Sequence, residues 1–185
     1  MEKIEIKKKN IIIFIVSIIV LISIFVIFSN AINFLTFSGE SFFNGELWRI
    51  LTFSFVHISE IHLIENIIAI FILNMIILQL NLKFKEIIYP LVGGVIILPL
   101  IEGIFFPTIV IAGASLAIYS LFGSLTFKFK NNLIKIGYLS LFLFIFAMDI
   151  IYTYLNNLGI ENSILHPLAF ILGIIISLIL IWKEN

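Results

Sequence analysis

Apolar residues along the chain are gathered into long runs, without the alternating or amphipathic patterns of soluble proteins. A helix needs about 20 mostly apolar residues to cross the hydrocarbon core of a bilayer. Six runs approach that length, and they cover residues 11–29, 61–80, 87–106, 113–127, 133–154 and 165–182. The fourth run is the shortest. The pattern predicts an all-α membrane protein, with six transmembrane helices in a single domain that spans residues 1–185.

The composition agrees with this prediction. Apolar residues make up 62% of the chain and charged residues 12%, whereas soluble domains carry roughly 45–50% and about 25%. The net charge is zero, so we expect the lipid bilayer, and not nucleic acid, as a partner of the chain. Without cysteine, disulfides and thiolate chemistry are excluded. The basic start resembles a signal peptide, but its apolar run is long enough to be interpreted as a retained anchor.

The positive charges are distributed unevenly between the two sides of the predicted bundle. With six helices, all lysines fall on one side, namely Lys3, Lys7, Lys8, Lys9, Lys83, Lys85, Lys128, Lys130, Lys135 and Lys183. Arg49 alone falls on the other side. Because positive residues favour cytoplasmic connections, we expect both termini of this multi-pass protein to be cytoplasmic.

Unusual polar side chains gather at the outer ends of three predicted helices. His57, His62 and Asn66 open the second helix, Ser115 opens the fourth, and His166 opens the sixth. These three helices run inward, so the five side chains share one side. Ser115 precedes Lys128 by 13 residues, or about 20 Å of helix. In a core about 30 Å thick, this predicts a depth of roughly 10 Å, where polar groups need partners or a water-filled cavity.

Other interpretations of these polar residues were weighed. His57 and His62 are five positions apart and do not share a helical face, and no His-Glu-x-x-His pattern occurs. We therefore expect no metal and no cofactor. Glu65, Glu102 and Asp149 lie in or near apolar runs, and such carboxylates mark proton or ion pathways. A small proton- or ion-coupled transporter is therefore an alternative, and small residues around the serine are also typical of a plain packing face.

In order and spacing, these residues resemble the rhomboid intramembrane serine proteases in their minimal six-helix form. The matching elements are Trp48-Arg49, His57, His62-x-x-x-Asn66, Gly113-x-Ser115 with Tyr119 and Gly123, and His166 with Ala169 and Gly173. The resemblance implies an enzyme that hydrolyses peptide bonds in or near the transmembrane segments of membrane-protein substrates. It also implies that the active site opens to the outer face.

The resemblance implies a role for each matching residue. Ser115 is the nucleophile and His166 its general base in a Ser-His dyad, while His62 and Asn66 contribute to the oxyanion hole. The supporting residues are Tyr119, Gly113, His57, Trp48, Arg49, Gly123 and Gly173. The fifth helix and the loop before His166 act as gate and cap. The family requires no acidic third member, and we expect Asp149, the only candidate, not to act as one.

The sequence departs from the family pattern beside the nucleophile. Leu116 stands where the family has glycine, Pro167 follows His166, and Ala169 stands where glycine is common. Proline fits the first turn of a helix. We expect the Leu116 side chain to narrow the cleft that receives the substrate and to slow cleavage. This departure keeps open a catalytically inactive relative that binds membrane clients without cutting them.

Overall fold

The computed structural model describes residues 32–156 and 161–183. Over these ranges the helices, in chain order, are α1 Ile32–Leu35, α2 Gly39–Phe43, α3 Arg49–Thr52, α4 Glu60–Leu80, α5 Phe84–Phe105, α6 Ser115–Leu125, α7 Asn132–Leu155 and α8 Glu161–Trp182. Short 3₁₀ turns follow α3 at Phe53–Phe55 and α6 at Thr126–Lys128.

Four of the described helices, α4, α5, α7 and α8, are long and apolar enough to cross a membrane. Their bounds agree with the predicted runs to within a few residues. The first predicted helix, residues 11–29, lies outside the described residues, so the count of six stays a prediction. The fourth predicted run is an 11-residue helix, α6, followed by a 3₁₀ turn. The described residues therefore form an all-α membrane protein built from long apolar helices.

Helix α6 is short because it lies in the middle of the bundle. Every residue of α6 except Tyr119 is buried, including Ser120 and Ser124. A helix that other helices surround need not reach both faces of the bilayer. The long helices around it present much of their apolar surface outward, and in α7 only Phe142, Phe146 and Thr153 are buried.

Glycines bring α6 into backbone contact with α8. A Cβ atom added to Gly123 would overlap the carbonyl oxygen of Phe170, and one added to Gly173 would overlap the carbonyl oxygen of Ser120. Ala169 is fully buried between them. Close approach through small residues is the usual way in which membrane helices gain packing energy. This close approach agrees with the role expected of Gly123, Ala169 and Gly173 in bringing these helices together.

The segment from α1 to α3 forms a folded loop held by side-chain bonds to backbone. The buried Arg49 donates from Nη1 to the carbonyl oxygens of Asn33 and Thr36, at 2.8 and 2.6 Å, and pairs with Glu46. Trp48 Nε1 donates to the carbonyl of Phe34 at 3.2 Å. These bonds agree with the stabilising roles expected of Trp48 and Arg49.

This loop also fixes the residues that precede α6. Phe37 and Ile111 exchange two backbone hydrogen bonds, at 3.0 and 2.8 Å. The amide of Gly113 donates to the carbonyl of Phe53 at 2.8 Å. On the other side, Gly39 packs against the backbone of Gly103 in α5. The start of α6 is therefore anchored from outside the helix itself.

The backbone contact between α6 and α8 predicts opposite effects of alanine at two helical glycines. Gly173→Ala places a methyl group against the Ser120 carbonyl and should lower the free energy of unfolding by about 1–3 kcal/mol or more through overpacking. Gly137→Ala in α7 meets open space and should be neutral or stabilising by about 0.5–1 kcal/mol. Thermal unfolding of both variants in detergent checks this. Equal midpoints for the two variants would contradict the packing assignment.

Candidate active site

Ser115 is the first residue of α6 and follows a turn that requires glycine. Gly113 has φ of +97°, a conformation that side chains other than glycine rarely adopt. A Cβ atom there would also lie 2.9 Å from Nε2 of His62. The turn thus brings the backbone close to His62 while it directs the chain into α6. Ser115 is almost buried, with 9% of its surface exposed.

His166 lies beside Ser115, near the start of α8. Its Nε2 atom is 3.2 Å from Oγ of Ser115, within the reach of a hydrogen bond. The ring of Tyr119, one turn along α6, lies against the imidazole with centroids 4.7 Å apart and planes at 31°. Ser115, Tyr119 and His166 are therefore brought together as the sequence predicted.

Asp149 contacts the other nitrogen of the same imidazole. Its Oδ2 atom is 2.8 Å from Nδ1 of His166, and it is contributed by α7. Sequence reasoning had set Asp149 aside, although a signal was available. Asp149 follows Lys135 by 14 residues, which is about 21 Å of helix. This places it at nearly the depth predicted for Ser115, on the helix that precedes His166.

His62 and Asn66 lie on the first turns of α4 and border the same space as Ser115. Ser59 caps this helix, and its hydroxyl accepts from the amide of His62 at 3.2 Å. The Asn66 side-chain amide donates to the carbonyl of His62 at 3.1 Å. That bond uses one of its two N–H groups and leaves the second available. Both residues lie next to Gly113, so their polar atoms face the start of α6.

His57 supports the ring of His62 from outside α4. It is buried, with only 2% of its surface exposed, and the two rings meet edge to face with centroids 5.2 Å apart. Burial, with a smaller contribution from the charge on His62, lowers the pKa of His57 from 6.5 to about 4. His57 is therefore neutral at pH 7. It packs with Gly113 around His62 and helps to fix the orientation of that ring.

A groove of about 400 Å³ leads to Ser115 from between α4 and α7. Its lining is mostly apolar, and Ser115 and His166 are among its polar residues. The apolar lining comprises Ile68, Ala69, Ile72, Ile76, Ile118, Phe122, Leu141, Phe142 and Ile145, and the polar lining comprises His62, Glu65, Asn66, Ser115, Tyr119, Tyr138 and His166. Such a groove suits an apolar segment that reaches the serine sideways from the bilayer.

A second cavity, of about 240 Å³, also reaches Ser115 and His166. Asp149, Thr153 and Ser163 contribute polar atoms to its wall. The two catalytic candidates therefore lie between an apolar groove and a smaller, more polar cavity. The latter is suited to hold water.

Leu116 is directed into the core and not into the groove. Only 2% of its surface is exposed, and it packs in a cluster with Phe37, Phe53, Leu98, Ile111, Leu165 and Ala169. It is absent from the lining of the apolar groove and borders only the smaller cavity. The expectation that this side chain narrows the path of the substrate therefore has no support from its position.

The three carboxylates considered for a transport pathway lie in different surroundings. Asp149 bonds to His166, and Glu65 borders the apolar groove. Glu102 is buried in α5. Over residues 32–156 and 161–183, no three His, Cys, Asp or Glu side chains are grouped so as to hold a metal ion.

Comparison with known families gives one match. A family model described as the Rhomboid domain matches residues 44–183, well over half of the chain. The match begins within the folded loop and includes every residue of the site described above. No curated protein matches the chain at a significant level.

The position of Leu116 predicts that its shortening costs stability. Leu116→Ala should lower the free energy of unfolding by about 2–5 kcal/mol, as buried leucines do when a cavity is left. Leu168→Ala in α8 removes the same atoms from a side chain that is 43% exposed and should cost far less. Thermal unfolding in detergent compares the two. A Leu116→Ala protein as stable as the native one would show that this side chain is not part of the core.

Proposed function

Since the chain belongs to the rhomboid family, we propose that it is an intramembrane serine protease that cleaves transmembrane segments near their outer ends. The observation that carries this proposal is the 3.2 Å distance between Ser115 Oγ and His166 Nε2. A serine hydroxyl is a weak nucleophile until a neighbouring base accepts its proton. Here the pair lies at the end of a groove with apolar walls, where a membrane-embedded substrate has access.

The first chemical step forms an acyl-enzyme. Ser115 Oγ attacks the scissile carbonyl carbon while its proton passes to Nε2 of His166. The carbonyl oxygen becomes an oxyanion, and His62 and the free N–H of Asn66 are the side chains nearest to hold it. The tetrahedral intermediate then collapses, the C–N bond breaks, and the amine leaves with the proton from His166.

The second step releases the product and restores the serine. A water molecule gives one proton to His166, and its oxygen attacks the acyl carbon. The bond to Ser115 Oγ breaks, and that oxygen takes the proton back from His166. The smaller cavity beside the imidazole supplies a route by which water reaches the acyl group without crossing the apolar groove. Removing one oxyanion donor typically lowers the rate by about 10²–10³.

The structure of the pair predicts that Ser115 and His166 act as one unit. Ser115→Ala, His166→Ala and the double variant should all reduce cleavage of a transmembrane model substrate in proteoliposomes to one background level, because such effects do not add. A fluorophosphonate probe should label the native protein and not Ser115→Ala. Ser120→Ala is the matched control, since Ser120 is fully buried on the same helix and borders neither cavity. Turnover by a folded Ser115→Ala protein would end the protease proposal.

The distribution of lysines supports an orientation with both termini in the cytoplasm and the Ser115 end of the bundle facing outward. In the structure Lys128, after α6, pairs with Glu86 at the start of α5, so these charges share one end. Reporter fusions at Asn131 and Asn185 should therefore read cytoplasmic, and one at Asn157 external. A cytoplasmic signal at Asn157 would contradict this orientation.

A further inference from the structure

We propose that Asp149 positions His166, so that the site works as a Ser-His-Asp triad and not as a dyad. This inference rests on the proposed function and adds a residue to it. Asp149 touches neither the substrate groove nor Ser115. Its effect is exerted through His166, and it is therefore a positioning residue.

The first argument is geometric. Each nitrogen of the His166 ring has one partner, with Ser115 Oγ at 3.2 Å from Nε2 and Asp149 Oδ2 at 2.8 Å from Nδ1. The face of the ring is held by Tyr119. Partners at both nitrogens and on one face leave the imidazole little freedom to rotate. The basic nitrogen is thus directed at the serine before the substrate arrives.

The second argument concerns the tautomer. A carboxylate only accepts hydrogen bonds, so Nδ1 of His166 must carry the proton that bonds to Asp149. Nε2 is then unprotonated and faces the Ser115 hydroxyl, as a general base requires. Without the carboxylate, either nitrogen can carry the proton, and the Nε2–H form cannot take a proton from Ser115.

The third argument concerns charge. When the Ser115 proton reaches Nε2, His166 becomes a cation, and a carboxylate 2.8 Å from Nδ1 stabilises it. The Asp149 side chain is 30% exposed and borders the smaller cavity, so water can hydrate it. In soluble serine proteases the equivalent aspartate holds and stabilises the histidine in the same way.

The helix that supplies Asp149 matters as well. Ser115 and His166 lie on α6 and α8, which touch through their backbones, whereas Asp149 lies on α7, which also forms a wall of the substrate groove. The same two helices also pack through Phe170 of α8, whose ring lies 5.6 Å from the ring of Phe146 in α7. Phe170 is buried and lines neither cavity, so it is the matched control for packing between α7 and α8.

The test compares Asp149→Asn with Phe170→Leu in the full-length protein, in proteoliposomes with a transmembrane model substrate. Asn is nearly isosteric but neutral. We expect Asp149→Asn to lower kcat by about 10²-fold or more, against about 10⁴ for this change in soluble triads, with KM nearly unchanged. Phe170→Leu loosens the packing between α7 and α8 by a conservative apolar change and should keep kcat within about threefold of the native value.

A second readout does not depend on activity. The chain has three histidines, so ¹⁵N NMR of histidine-labelled protein, assigned with His57→Gln and His62→Gln, reports the protonation of each His166 nitrogen. Native protein near neutral pH should show a protonated Nδ1 and an unprotonated Nε2. Asp149→Asn should lose this preference, and Phe170→Leu should keep it.

The outcomes separate the two proposals. If Ser115→Ala abolishes cleavage but Asp149→Asn keeps kcat within about threefold of the native value, the triad is wrong and the protease stands. If Asp149→Asn and Phe170→Leu lose equal activity, Asp149 serves only helix packing, and the positioning role is overturned. If the native protein neither cleaves nor binds the fluorophosphonate, the proposed function fails. The NMR preference of His166 then decides whether Asp149 still orients the ring.

Discussion

The backbone contact between α6 and α8 is the constraint on which the rest of the structure depends. Hydrogen-bond reach between Ser115 and His166 requires two helices to lie closer than ordinary side chains permit, and Gly123 and Gly173 remove the obstructing atoms. Without a hydrophobic driving force between helices in lipid, such packing is a main source of association energy. The same contact therefore stabilises the bundle and sets the distance between Ser115 and His166.

The burial of α6 explains its short length and its need for support from the loop of α1 to α3. A helix enclosed on all sides can be short, and its first residue then lies below the membrane surface, where it needs support from elsewhere. The loop of α1 to α3 gives that support through the Phe37–Ile111 pairing and the bond from Gly113 to Phe53. Arg49 stabilises the loop itself, because its guanidinium donates to two backbone carbonyls that have no partner within a long helix or a sheet. Residues far from the serine thus determine where the serine lies.

Much of this architecture could be predicted from the sequence because apolar runs of spanning length have a single solution in a bilayer. Residue spacing also predicts the depth of Ser115, and the direction of each helix predicts that Ser115, His62, Asn66 and His166 share one side. Rotation about each helix axis is a different matter, since it depends on packing that a single run does not encode. Leu116 was expected beside the substrate and lies in the core, and Asp149 was set aside and bonds to His166. Both differences concern rotation about a helix axis, and neither concerns depth.

The position of Asp149 has an energetic consequence. A carboxylate in a membrane helix costs about 2.5–3.5 kcal/mol at the helix centre and less toward the ends, so a residue that served packing alone would be better replaced by an apolar one. Here the side chain is 30% exposed and bonds to His166, and both features reduce that cost. In the proposed mechanism this bond becomes strongest when His166 is protonated, which happens during each chemical step. Its stabilisation is then greater in the transition state than in the resting protein, as catalysis requires.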